Sequence, residues 1–172
     1  SVKSRGLGDV YKRQGEKMSK SRGNFISAEN YINNLNEDYL RYFIASKLGN
    51  GVDDIDLNLD EFKQKNNTDL VNKYANIASR TAKFINKHYE DRLSQKLDNP
   101  ELIEYFIEQS KEIARFYNNL ELNKASREIM ALADKANQYV DSRKPWLLIK
   151  ESDNEDEVQS ICLSLIHISE PT

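Results

Sequence analysis

Most of this chain is written in one period. From about residue 27 to residue 162, apolar side chains recur every three or four positions, the spacing of helices that bury one face. Ser27 can cap a short helix, with Asn30 three positions on and Ile32 and Leu35 as its apolar side. "NEDYLRYFIASKL" predicts a second helix after Asn36. Glu37 and Asp38 fall in its first turn, where the helix dipole favours anions, and Leu40, Phe43, Ile44 and Leu48 form its stripe. "GNG" at 49–51 ends that helix and reads as a hinge. "VDDIDLNL" (52–59) alternates weakly through Val52, Ile55, Leu57 and Leu59, which predicts a short extended segment. Asn58 followed by Glu61 resembles a capping box and opens a long helix over about 59–87. Its inner face is Phe62, Leu70, Tyr74, Ile77, Thr81, Phe84 and Ile85.

A polar link, "EDRLSQKLDNP", follows. Asn99 as cap and Pro100 at the first helical position start the next helix, which runs to about 120 with Leu102, Phe106, Ile113 and either Phe116 or Tyr117 inward. A further helix covers about 123–143, with Ala125, Ile129, Leu132, Ala136 and Val140 facing in, and Pro145 ends it. "NEDEVQSIC" (154–162) begins one more helix, which the tail is expected to interrupt. There are no internal repeats. The expected fold is all-α, a helical bundle preceded by a loop and short helix that belong to another domain.

Both ends fit nothing around them. "SVKSRGLGDVYKRQ" (1–14) has no amphipathic period and no apolar stretch of the kind a signal peptide needs, and "LSLIHISEPT" (163–172) is equally foreign. Both resemble translated sequencing-adaptor sequence, so the native part is expected over 15–162, with the gene product continuing beyond both ends.

Charge narrows the function classes. The chain has 25 Lys and Arg against 28 Asp and Glu, and the segment 15–162 keeps 21 against 26, a net −5. That balance excludes a general polyanion-binding coat, so any contact with nucleic acid must be local. The single cysteine, Cys162, excludes a disulfide framework and a cysteine-based zinc site within the chain. No apolar run approaches membrane-spanning length, and the expected location is the cytoplasm.

Two places carry candidate chemistry. The first is "GEKMSKSRGN" (15–24), a mobile loop with Lys17, Lys20 and Arg22 among serines and glycines. Such a loop is either a solvated basic turn or a device that brings ammonium groups onto a polyphosphate as charge develops there. Lysine suits the second role as a point charge on a flexible stem, and Ser19, Ser21 and backbone N–H groups add donors. The second place is the long helix. Asn72, Asn76 and Arg80 stand at i, i+4 and i+8, roughly on one face, and Lys83 and Lys87 continue that side. Their amides and guanidinium offer directional hydrogen bonds to base edges and phosphates. Trp146, just after a helix end, offers a flat face for an unpaired base. The alternatives are a solvated helix face and a tryptophan that fills the core.

"KMSKS" (17–21) is identical to the signature loop of class I aminoacyl-tRNA synthetases. "DDIDLNLDEF" (53–62), "NIASR" (76–80), "REIMALADKANQYVD" (127–141) and "PW" (145–146) closely resemble the bacterial methionyl-tRNA synthetase family. The similarity covers about 15–162. It implies the following expectations. The loop closes over ATP, supplied with Mg2+ as a substrate, during amino-acid activation. Lys20 stabilises the pentavalent α-phosphate and the departing pyrophosphate, while Lys17, Ser19 and Ser21 shape and close the loop. The helical domain recognises the CAU anticodon of tRNA(Met) through Asn76, Arg80 and Trp146, to which the helical geometry adds Asn72. The family's HIGH motif, Rossmann sheet, L-methionine pocket and zinc knuckle precede the loop, and none of these lies in this sequence. The implied division is adaptor-derived 1–14, the end of a catalytic domain over 15–58, a truncated helical anticodon-binding domain over 59–162, and adaptor-derived 163–172. A fragment of methionine–tRNA ligase, inactive alone, is therefore expected. A stand-alone helical tRNA-binding module without catalysis is the alternative.

Overall fold

The structure is a computed structural model that describes residues 11–13, 15–17, 26–51, 54–90, 92, 94–150 and 154–169. Its contacts divide the chain into two compact units, 1–68 with 115–127, and 69–114 with 128–172.

The first unit opens with a small sheet. Strand β1 (Tyr11–Arg13) lies in the middle, antiparallel to β2 (Glu16–Lys17) and parallel to β3 (Ile55–Asp56). The weak alternation around Ile55 is thus realised as a strand. Its partner β1 falls inside the segment read as foreign, which the absence of a period there could not foreshadow. Helices α1 (Ala28–Ile32) and α2 (Glu37–Ala45) follow. Ser27 Oγ accepts from the Asn30 N–H at 3.1 Å, and Asn36 Oδ1 from the Asp38 N–H at 2.8 Å, so both caps stand where the sequence places them. The inner side of α1 differs from expectation: Tyr31 is buried, while Ile32 and Leu35 are exposed. A helix of five residues offers little more than one turn, and the largest ring takes the inward position. The Tyr31 and Phe43 rings both pack edge-on against Phe62, at centroid distances of 6.3 and 5.5 Å. Helix α3 (Leu59–Asn66), which brings Phe62, is capped by Asn58, whose Oδ1 accepts from the N–H groups of Asp60 and Glu61. At the glycine-rich stretch the Leu48 carbonyl accepts from the Asn123 N–H at 2.7 Å.

Helical geometry continues from α3 through a π-helical segment, Asn67–Ala75, into α4 (Asn76–Tyr89). The long helix predicted over 59–87 therefore exists, but not with one period. In the π segment the hydrogen bonds close i to i+5, so each turn takes up more residues and the inner face drifts. Ile77, Thr81 and Ile85 are buried as predicted; Tyr74, assigned to the same stripe by a uniform spacing, is exposed, and Asp69 is buried.

The second unit contains α4, most of α5 (Pro100–Asn118) and of α6 (Leu122–Arg143), then α7 (Pro145–Leu148) and α8 (Glu155–Ser169). Asn99 Oδ1 accepts from the Leu102 N–H at 3.0 Å with Pro100 opening α5, as the sequence predicts. Ile77, Leu102, Ala133, Ala136, Tyr139, Val140, Ile161 and Leu165 form one core, against which Phe106 and Leu148 pack. Helix α8 does not stop at the tail but runs on into it, as far as Ser169. Val158, Ile161, Cys162 and Leu165 stand at i, i+3, i+4 and i+7, all buried, so the apolar period crosses position 163 unbroken.

A polar cluster ties these helices to the link before α5. Tyr139 Oη donates to Asp98 Oδ2 at 2.6 Å, and Arg143 Nη2 donates to Asp98 Oδ1 and to Glu157 Oε1, both at 2.7 Å. The Asp98 N–H donates in turn to Ser164 Oγ at 3.1 Å. Burial first, and then the hydrogen bond to Asp98, push the Tyr139 phenol well above its ordinary range.

Candidate nucleic-acid cleft and nucleotide loop

The lysine-rich loop is anchored at both ends within the first unit. On the upstream side β1 and β2 form a tight hairpin in which Gly15 takes a left-handed conformation (φ 81°), where a side chain would be strained. The Gly15 N–H donates to Asp56 Oδ2 at 3.0 Å, which fastens the turn to β3. Lys17 is the last residue of β2, exposed, and stands opposite Lys12 in the register. On the downstream side the chain returns at Ile26 and is caught by the Ser27 cap of α1. Ser19, Lys20, Ser21 and Arg22 lie outside the described residues.

The second unit holds a cleft of about 650 Å³ between α4 and the α7 segment. From α4 it takes Ser79, Arg80, Lys83, Phe84, Lys87 and His88, a run with the three- and four-residue spacing of one helix face. From the other side come Trp146, Ile149 and Lys150. The local chain explains how Trp146 reaches it. Helix α6 ends at Arg143; Lys144 turns left-handed (φ 45°); and Pro145 restarts a single turn as its first residue. In that turn Pro145 is buried and Leu148 packs on the core, three positions apart on one side, which leaves Trp146 and Leu147 facing outward. Trp146 is 39% exposed, too open for a residue that merely fills the core.

Arg80 is the residue that joins the two sides. Its Cζ lies 6.0 Å from the centroid of the Trp146 ring, within cation–π range, and its Nη1 donates to Asp141 Oδ1 at 3.0 Å. The guanidinium is thereby oriented while keeping further donors available. Lys83, Lys87 and Lys150 make no ion pair among the described residues, so the described lining of the cleft is positive on a chain whose net charge is −3. Its walls combine a flat aromatic face, an oriented guanidinium and several ammonium groups, the combination that holds unpaired nucleotides.

Of the residues singled out from sequence, Arg80 and Trp146 meet, and Lys83 and Lys87 join them. Asn76 is half-buried at the start of α4 and Asn72 is exposed within the π segment; neither lines the cleft. The i, i+4, i+8 premise for Asn72 assumed a uniform helix, and the π geometry removes it. Asp141, His88 and Lys150 are not among the residues singled out from sequence, and Phe84 is placed there on the inner face alone. Phe84 and His88 extend the Arg80 series at i+4 and i+8, a signal present in the sequence.

Comparison with known proteins bears on both regions. Residues 8–82 match the family model of tRNA synthetases class I (M), a range that includes the sheet, the loop and the start of α4. A solved structure of Mycobacterium tuberculosis methionyl-tRNA synthetase in complex with methionyl-adenylate superposes with a TM-score of 0.82 at 21% identity over 92% of this chain. The fold is that of methionyl-tRNA synthetase. A second structure of the Mycobacterium tuberculosis enzyme, bound by methionyl-adenylate, gives a TM-score of 0.78 at the same identity and coverage. The chain spans 32% of the length of each of these methionyl-tRNA synthetase structures. The family that the motifs resemble is the one to which both comparisons lead, and the helical architecture agrees with it. Among the described residues, no helix is long and apolar enough to cross a membrane, and no group of three or more His, Cys, Asp or Glu could hold a metal ion.

Proposed function

We propose that this chain is part of a methionine–tRNA ligase of the cytoplasm, contributing the ATP-closing loop and the anticodon-reading helices. In the reaction proposed for the whole protein, the methionine carboxylate attacks the α-phosphate of Mg2+-bound ATP. The bond to the β-phosphate breaks and pyrophosphate leaves, giving methionyl-adenylate. A ribose hydroxyl at the tRNA 3′ end then takes the methionyl group and AMP departs. Lys20 neutralises the charge that grows on the α-phosphate and pyrophosphate in the first step; Lys17, Ser19 and Ser21 shape the loop around it. The anchorage of the loop between β2 and the Ser27 cap supports this role, because a closing loop needs fixed ends.

The observation that carries the reading is the pairing of Arg80 with Trp146 in a cationic cleft, on a helical unit with this fold. Trp146 stacks an unpaired anticodon base, Arg80 donates to a base edge or phosphate, and Lys83, Lys87 and Lys150 neutralise the backbone. Asn76, one turn before Arg80 on α4, extends the contacts beyond the cleft.

The test is titration of the 172-residue chain with an RNA stem-loop carrying CAU and with one whose loop is scrambled. Preference for CAU, lost in Trp146→Ala and in Arg80→Ala, is the expected result. Equal binding of both RNAs, or variants that bind as well as the parent chain, would overturn it. Each lysine changed to alanine is further expected to reduce the slope of log K against log salt by about 0.7.

A further inference from the structure

The cleft has a second aromatic surface. The Phe84 and His88 rings lie 4.7 Å apart, tilted by 39°, and both line the cavity that Trp146 enters. Phe84 is half-buried, so it acts as a fixed backing, while His88 is exposed and carries the ring outward. At 1.5 Å of rise per residue His88 is displaced from Arg80, and hence from the Trp146 end, by about 12 Å along α4. A stacked step advances only about 3.4 Å along a strand, so a base at His88 is not the immediate stacked neighbour of one at Trp146. Lys83 and Lys87 stand between and beside the two positions on α4, with Lys150 across from them, where the connecting phosphates would run. A solvated helix end has no need of a ring held against another ring inside a cationic cleft, whereas a single strand crossing the cleft needs a face for each base it turns inward.

We infer that His88, backed by Phe84, is a second stacking platform for an unpaired nucleotide of the same RNA strand that Trp146 engages. The inference rests on the proposed RNA-binding role of the cleft and adds a second nucleotide position to it. The platform reads the π-face of a base, so it tolerates any base there.

Its test uses the full chain and the CAU stem-loop labelled with a fluorescent adenine analogue at successive loop positions. His88→Ala is expected to weaken binding about 5- to 150-fold, the range of one lost stack. It should also relieve quenching at a loop position different from the one that Trp146→Ala relieves. His88→Phe is expected to restore both, since a phenyl ring stacks without a hydrogen bond or charge. Because His88 is exposed, melting temperatures of both variants should match the parent chain. If Trp146→Ala weakens binding while His88→Ala does not, the second platform is wrong and the cleft reading stands. If His88→Phe fails to restore what His88→Ala loses, the role is polar and stacking is excluded. If neither Trp146→Ala nor Arg80→Ala weakens binding, the cleft reading itself fails, and the platform with it.

Discussion

At Trp146 three neighbouring residues divide the work. Lys144 turns the chain, Pro145 and Leu148 hold the turn to the core, and the indole is left in the cleft. Under the proposed function Trp146→Ala should weaken RNA binding by roughly 1–3 kcal/mol, the worth of one stacked base, measured by titration. In the full-length enzyme it should leave methionine-dependent ATP–pyrophosphate exchange intact; loss of exchange would make the tryptophan structural. Lys20→Ala in that enzyme should slow adenylate formation far more than it weakens ATP binding, and equal losses in both would exclude a transition-state role. Cys162 offers a different reading. It is 1% exposed, and burial pushes its thiol up to about 11. Its alkylation should therefore follow the opening of the core and accelerate with denaturant; rapid labelling of the native chain would contradict the burial. At this scale the sequence was informative where a residue type is rare or has one job. The lone tryptophan and the capping asparagines could be singled out directly. Asp141 could not, because an acidic residue on an outer helix face reads as solvated until its partner Arg80 is placed beside it.

Among the elements, the long helix shows where pattern reading succeeds and where it stops. Periodicity identified α4, α5 and α6 and most of their buried positions because each keeps one regular geometry over several turns. It missed the π segment because the change of pitch leaves no composition signal, only a displaced inner face. In the structure Asn137 Nδ2 donates to the Lys73 carbonyl in that segment at 3.2 Å and to Ala133 at 2.9 Å, and Lys73 Nζ pairs with Asp134 at 2.7 Å. Asn137→Leu should cost about 0.5–1.5 kcal/mol, read as a lower melting temperature, because the side-chain bond that ties α6 to the Lys73 carbonyl is lost. Helix α8 was legible only as far as Cys162, since the tail was set aside on its wording rather than its period. Leu165 is fully buried in the core, so deleting 163–172 should destabilise the second unit by at least the roughly 2–5 kcal/mol of a large-to-small core substitution, visible in a urea titration. In the first unit a methyl group at Gly49 would stand 3.4 Å from the Asn123 side chain, an easily accommodated approach. Gly49→Ala combined with Gly51→Ala is thus a fair probe of the hinge in the full-length enzyme. Under the proposed function a hinge here would let the loop and the helices adjust together, and unchanged aminoacylation kinetics in the double variant would refute that.

For the molecule as a whole, the loop and the cleft lie in different compact units of a chain about a third as long as the structures it resembles. The proposed activity accordingly needs more than this chain: the 172 residues alone should show no methionine-dependent ATP–pyrophosphate exchange, and exchange by the pure chain would refute that. The helical class and the likeness to methionyl-tRNA synthetases were both legible, the first from apolar spacing and the second from short strings. Of the small sheet only β3 was, through the weak alternation around Ile55, because strands of two and three residues are too short to display a period. The packing of α4 on α8 has one more consequence, during synthesis. Helix α4 leaves the ribosome about 80 residues before α8 does, and Ile77 meets Ile161 and Leu165 in the same core. At 5–20 residues per second the apolar face of α4 waits roughly 4–16 s for its cover. During that interval the nascent helix presents a greasy stripe, and it is there, rather than in the finished fold, that this protein is most open to capture by a chaperone or by another unfinished chain.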